Sequence, residues 1–84
     1  MNNASNLESK LQQAFQRSLN LSTGTEYNTL EFAKSSGWDS IAHLQLIAAI
    51  EEEFSIMIDT NDMLAMSSYP KAVEIVRKYA PSLT

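Results

Sequence analysis

The 84-residue chain contains no cysteine. That excludes a disulfide framework, a thiolate nucleophile and any cysteine-built metal site, and it suits a reducing compartment. Positive charge is scarce: six Lys and Arg against ten Asp and Glu leave a formal net charge of -4. The six cations, Lys10, Arg17, Lys34, Lys71, Arg77 and Lys78, are scattered along the chain. No basic stripe gathers phosphates, so nucleic acid is not an expected ligand, and a charged partner should be basic. Long apolar runs are missing as well; none approaches the roughly 20 residues needed to cross a bilayer, and MNNASNLES lacks the positive n-region of an export signal. The chain therefore reads as cytoplasmic, and the glycosylation patterns at Asn3-Ala4-Ser5 and Asn20-Leu21-Ser22 have no occasion to matter.

Histidine is nearly absent too. His43 is the only imidazole, and a Ser-His-Asp constellation would need Ser40 with Asp39 beside it in sequence, badly placed to orient the ring. No enzyme is expected, and His43 reads as a packing or surface residue. Asp59, Asn61 and Asp62 crowd together without the glycine and distal glutamate of a calcium loop. They read as helix caps, and no metal is expected.

With only two glycines and two prolines, the chain leaves long segments free to be helical. Leu7, Leu11, Ala14, Phe15 and Leu19 recur at three- and four-residue spacings, which predicts a helix over 5–20, with Ser5 and Glu8 fitting a capping box. From Leu21 to Trp38 the periodicity dissolves into a long loop pinned by Leu30, Phe32 and Trp38, with a short turn near Leu30 to Ala33 and no strand. The stretch SIAHLQLIAAIEEEF predicts a helix over 40–54. Its core face is Leu46, Ile47, Ile50 and Phe54. Ile41, Leu44 and Ala48 lie on a neighbouring face with Gln45, Glu51 and Glu52, so the apolar arc is wider than a thin core requires. That surplus is either covered by a further helix or left for a partner. Glu53 reads as solvent-facing.

Ile56 and Ile58 should turn inward, with Asp59 or Thr60 capping a short helix over 60–65 that holds Met63 and Leu64. Ser68 should cap a last helix over 69–80, with Pro70 in its first turn, Tyr69, Ala72, Val73, Val76 and Tyr79 as its buried stripe, and Pro81 as its stop. The sum is one domain, residues 1–84, all-α, with three main helices and one short one. At this length it buries only about 60 to 65% of its unfolded surface, so the core is thin.

One stretch, GWDSI at 37 to 41, puts a carboxylate and a hydroxyl at the mouth of the most apolar helix. Taken on residue chemistry alone, Asp39 and Ser40 are N-cap and first-turn residues. A phosphoryl group esterified there would also sit at the positive end of the helix dipole. The longer segment WDSIAHLQLIAAIEEEF resembles the acyl carrier protein family, whose attachment motif is Asp-Ser-Leu followed by a helix ending in an acidic run and Phe. The resemblance runs in helix order over about residues 5 to 80.

It implies a four-helix bundle of acyl-carrier type with a long first loop. It implies that Ser40 accepts a 4'-phosphopantetheine arm from coenzyme A, with Asp39 as its motif neighbour, and that the arm's thiol holds an acyl group as a thioester. By the same analogy Ile41, Leu44, Gln45, Ala48, Glu51 and Glu52 form a docking face, and Leu46, Ile47, Ile50, Phe54, Ile58 and Met63 line or back the interior, with Met63 and Met66 flexible enough to yield to an acyl guest. The implied partners are a phosphopantetheinyl transferase and acyl-loading, condensing or acyl-transfer enzymes of fatty-acid, polyketide or other lipid pathways, met by a monomer. Ile41 replaces the usual Leu, and Ala42 and Gln45 stand where fatty-acid carriers place acids. Trp38 is larger than the residue those carriers favour there, and is similar to the Trp-Asp-Ser form of specialised carriers. His43 could border the arm. A stand-alone aminoacyl or peptidyl carrier and an unmodified helical adaptor remain the alternatives.

Overall fold

In the computed structural model the described residues are 3–21, 24–35 and 37–79, with side chains described from residue 6 onward. Four α-helices run in the expected order: α1, Asn3–Leu19; α2, Ser40–Phe54; α3, Thr60–Ala65; α4, Tyr69–Tyr79. The fold is all-helical among the described residues. One isolated bridge, between Glu31 and Ser68, ties the long loop to the start of α4.

Each helix begins where its capping chemistry places it, with one exception. Asp39, Asp59 and Ser68 accept from Ala42 N–H (2.9 Å), Asp62 N–H (2.9 Å) and Lys71 N–H (3.2 Å), satisfying donors that have no partner inside the helix. The exception is α1. It starts at Asn3, so the backbone of Ser5 is already helical, and Glu8 is engaged elsewhere, by the Tyr69 hydroxyl at 3.3 Å. The side chain of Ser5 lies outside the described ones, as do Ala80 and the Pro81 stop.

The core is built mainly between α1 and α2. Leu7, Leu11, Ala14 and Phe15 on one side and Leu46 and Ile50 on the other are fully buried, joined by Ala72 and Val76 of α4. Their spacing is the one the helical period dictates. Two details of the pattern read differently in three dimensions. Ile75 is buried on α4 while Val73 and Tyr79 are only partly so, because α4 meets the core with a face rotated by about one residue from the expected stripe. Glu53 turns toward α1, its side chain 22% exposed and 3.6 Å from Arg17, whereas Glu52 is the solvent-facing acid, 77% exposed and 3.0 Å from the same guanidinium.

Aromatic rings hold the long loop to the bundle. Phe15 meets Trp38 (centroids 5.2 Å) and Tyr69 (5.3 Å) edge-on, with Tyr27 a third neighbour at 6.5 Å. A single 3₁₀ turn at Tyr27–Thr29 precedes Leu30, and the tighter turn lies one residue beyond the expected place, with Lys34 and Ser35 N–H both donating to Glu31 O.

Tyr69 gives this core a measurable alkaline limit. Burial pushes its hydroxyl up from 10.0 to about 12, with Gln12 donating to it and Glu8 accepting from it. A phenol whose folded value is raised contributes stability that is complete below pH 10 and lost as pH climbs toward about 12. Lys78 and Tyr79 are also raised, chiefly by the hydrogen bond with Asp62 for Lys78, and contribute with the same sign. The thermal midpoint should therefore fall over this window, and Tyr69→Phe should flatten the fall. An unchanged slope in Tyr69→Phe would mean that Tyr69 ionises freely in the folded state.

Candidate functional site

The segment leading into α2 is held by glycine geometry and by Trp38. Gly37 adopts φ +86, and a Cβ there would sit 3.1 Å from the Leu19 carbonyl oxygen. Gly37 thus serves a fixed left-handed turn against the end of α1, a more specific role than flexibility. Trp38, 1% exposed, is tied at three points: its N–H donates to Ser35 O (3.2 Å), its carbonyl accepts from Ala33 N–H (2.9 Å) and its indole Nε1–H donates to His43 Nδ1 (2.9 Å). The chain therefore enters α2 from an anchored point.

Asp39 caps the helix through its side chain and also accepts from His43 N–H through its carbonyl at 2.8 Å. Such a cap is worth about 1 kcal/mol. Capping is thus Asp39's demonstrable structural work, and it leaves Ser40 free of that duty. Ser40 is the first residue of α2, exposed, and its hydroxyl makes no hydrogen bond to any described residue. The N–H groups of Ser40 and Ile41 likewise have no acceptor among the described residues. An exposed hydroxyl beside two open N–H donors, at the positive end of a four-turn helix, suits an esterified phosphate.

The exposed side of α2 carries Ile41 (70% exposed) and Leu44 (60%), with Gln45, Ala48 and Glu52 also exposed. The surplus apolar arc is uncovered. Glu51 is half-buried, and its Oε2 accepts from Ile58 N–H at 2.9 Å, so one oxygen of this acid is committed to the link between α2 and α3. Two further exposed apolar residues, Met57 (83%) and Leu64 (71%), extend the greasy surface past α2, and no helical period announced them. Between α1 and α2 lies an open groove of about 400 Å³ lined by Arg17, Ser18, Gln45, Ala48, Ala49 and Glu52. Of the interior candidates, Leu46, Ile47, Ile50 and Phe54 are buried in the main core, and Ile58 and Met63 are partly buried against it.

His43, 9% exposed, packs inward. Its Nε2 lies 2.8 Å from Met63 O, and its ring lies 5.1 Å from Phe32. The acids near α3 are accounted for: Asp59 caps, while Asp62 receives Lys78 Nζ at 2.8 Å and the Tyr79 hydroxyl at 2.6 Å, contacts that hold its carboxyl below the usual range.

Fold and site together define a small helical bundle that presents a serine hydroxyl at its surface. Residues 9–77 match the family described as phosphopantetheine attachment site, and the chain belongs to that family. It is 30% identical over 71 residues to the acyl carrier protein of Buchnera aphidicola subsp. Schizaphis graminum, covering 84% of this chain and 90% of that protein. It is 44% identical over 48 residues to the mitochondrial acyl carrier protein of Neurospora crassa, covering 57% of this chain but only 36% of that longer protein. A second Buchnera acyl carrier protein, from the Acyrthosiphon pisum subspecies, is 26% identical over 73 residues, with 87% and 91% covered. No solved structure matches. Domains of this family carry a covalently attached 4'-phosphopantetheine, and the chain is a carrier, not an enzyme. Among the described residues no helix is long and apolar enough to cross a membrane.

Proposed function

We propose that the chain is an acyl carrier in which Ser40 bears the 4'-phosphopantetheine arm, and that enzymes loading, extending or transferring the acyl group dock beside it. The observation that carries the reading is the Ser40 hydroxyl: exposed, without a hydrogen bond to any described residue, and directly following the Trp38 anchor and the Asp39 cap. When attached, the arm supplies the thiol that this cysteine-free chain lacks and carries cargo as a thioester. The protein's own residues do the rest. Asp39 holds the start of α2 in register, the open N–H groups of Ser40 and Ile41 face the phosphodiester's charge, and the docking surface comprises Ile41, Leu44, Gln45, Ala48 and Glu52 with the free oxygen of Glu51. Leu46, Ile47, Ile50, Phe54, Ile58 and Met63 form the apolar interior against which an acyl chain would lie. The carrier works as a monomer in the cytoplasm.

Intact-protein mass spectrometry after incubation with coenzyme A and a broad-specificity phosphopantetheinyl transferase tests the assignment. One adduct per chain is expected. A folded chain that never takes the adduct would instead be an unmodified adaptor, using the same apolar surface without a prosthetic group.

A further inference from the structure

Helix α3 has no fully buried residue. It is held on the α4 side by the Asp62 contacts to Lys78 and Tyr79, and the segment entering it is tied by Asp59 N–H donating to the Tyr79 hydroxyl (3.0 Å) and by Ile58 N–H donating to Glu51. On the side of the candidate serine, the body of α3 is held by the hydrogen bond between His43 Nε2 and the Met63 carbonyl.

The other nitrogen of the same ring faces the serine-bearing loop. An indole N–H only donates and a carbonyl only accepts. The 2.9 Å contact from Trp38 and the 2.8 Å contact to Met63 therefore require bare Nδ1 and protonated Nε2, one defined tautomer. The ring is further fixed by the Phe32 ring, with centroids 5.1 Å apart. His43 thus joins two elements that share no other side-chain hydrogen bond among the described residues: the anchor two residues before Ser40, and a helix lacking a buried side chain of its own.

We infer that His43 is a positioning residue that couples the serine-bearing loop to α3, so that the approach to Ser40 and the seating of α3 open and close together. This rests on the reading of Ser40 as the attachment point. With the bridge made, Trp38 holds the loop in the geometry a transferase must recognise. With it broken, that geometry is populated only part of the time, and the apparent affinity for the modifying enzyme drops by that fraction. A cargo that displaces α3 would be felt at the Trp38 loop by the same route.

The test compares wild type with His43→Phe, which keeps a ring and loses both hydrogen bonds, and His43→Gln, whose amide can accept from Trp38 and donate to Met63. In His43→Phe, the transferase KM should rise about five- to tenfold, roughly the worth of the one lost hydrogen bond, to Trp38, that holds the serine-bearing loop, with kcat little changed. Exchange of the Met63 amide should quicken by a similar factor. His43→Gln should recover most of both, and the emission of Trp38, the sole tryptophan, should return toward wild type.

On the unmodified wild type, the Trp38 indole N–H and the Met63 amide should show the same opening equilibrium in hydrogen exchange. Independent openings there, or a folded His43→Phe with unchanged KM and exchange, would overturn the coupling. Failure of wild type to take any adduct would overturn the attachment at Ser40 instead, and the exchange comparison would still decide the coupling.

Discussion

Ser40→Ala is expected to abolish phosphopantetheine attachment completely while leaving the bundle as stable as before. Loss is total because the acceptor is one oxygen and the substitution deletes it. Of the other described hydroxyls near helix starts, Thr60 follows the capping Asp59 but heads only the six-residue α3, and Ser67 and Ser68 follow no acid. Stability is spared because Ser40 is exposed and its hydroxyl holds nothing among the described residues; such a change stays within about 0.5 kcal/mol. Intact mass and a denaturant midpoint measured on the same sample check both halves. An adduct surviving in Ser40→Ala would move the attachment elsewhere. A large loss of stability would mean that the hydroxyl has a structural role that the geometry does not show.

Trp38→Ala should do the reverse, and damage the fold directly. The side chain is 1% exposed and meets Phe15, Phe32 and His43 at ring-centroid distances of 5.2, 6.3 and 6.0 Å. Removing a buried Trp costs about 3–5 kcal/mol, and an ordinary domain of this size has only about 4–13 kcal/mol in total. A steep fall in denaturant midpoint is expected, with loss of near-ultraviolet ellipticity in the loop-facing aromatic cluster. Trp38→Phe separates packing from hydrogen bonding: it keeps much of the apolar volume and leaves His43 Nδ1 without its donor, so it should cost less, about 1–3 kcal/mol. If Trp38→Ala costs under about 1 kcal/mol, the loop is held by Leu30 and the bridge to Ser68 instead.

These two residues stand two positions apart and illustrate what a sequence discloses. Asp39 as a cap and Ser40 as the first-turn residue were legible because capping depends on local order: an acid, then a hydroxyl, then a helix. The role of Trp38 was legible only as an apolar anchor. That its indole N–H meets His43, and that His43 reaches on to Met63, depends on how α2 and α3 cross, which no spacing encodes. Glu53 makes the same point. Its neighbours Glu51 and Glu52 differ from it by one or two residues, yet Glu53 turns toward α1 while Glu52, nearer to the same Arg17, stays exposed, a difference set by how α1 and α2 meet.

The helical content, order and approximate ends of α1 to α4, and the face that Leu46, Ile47, Ile50 and Phe54 bury, were determined by the sequence alone, since helical periodicity and caps act within a few residues. Tertiary structure decided which surplus apolar residues stay uncovered, where Glu51 and Glu53 spend their charge, and how His43 joins the loop before Ser40 to α3. The reason is physical: burial and long-range hydrogen bonds are properties of how helices meet, and that geometry is set by all the contacts at once.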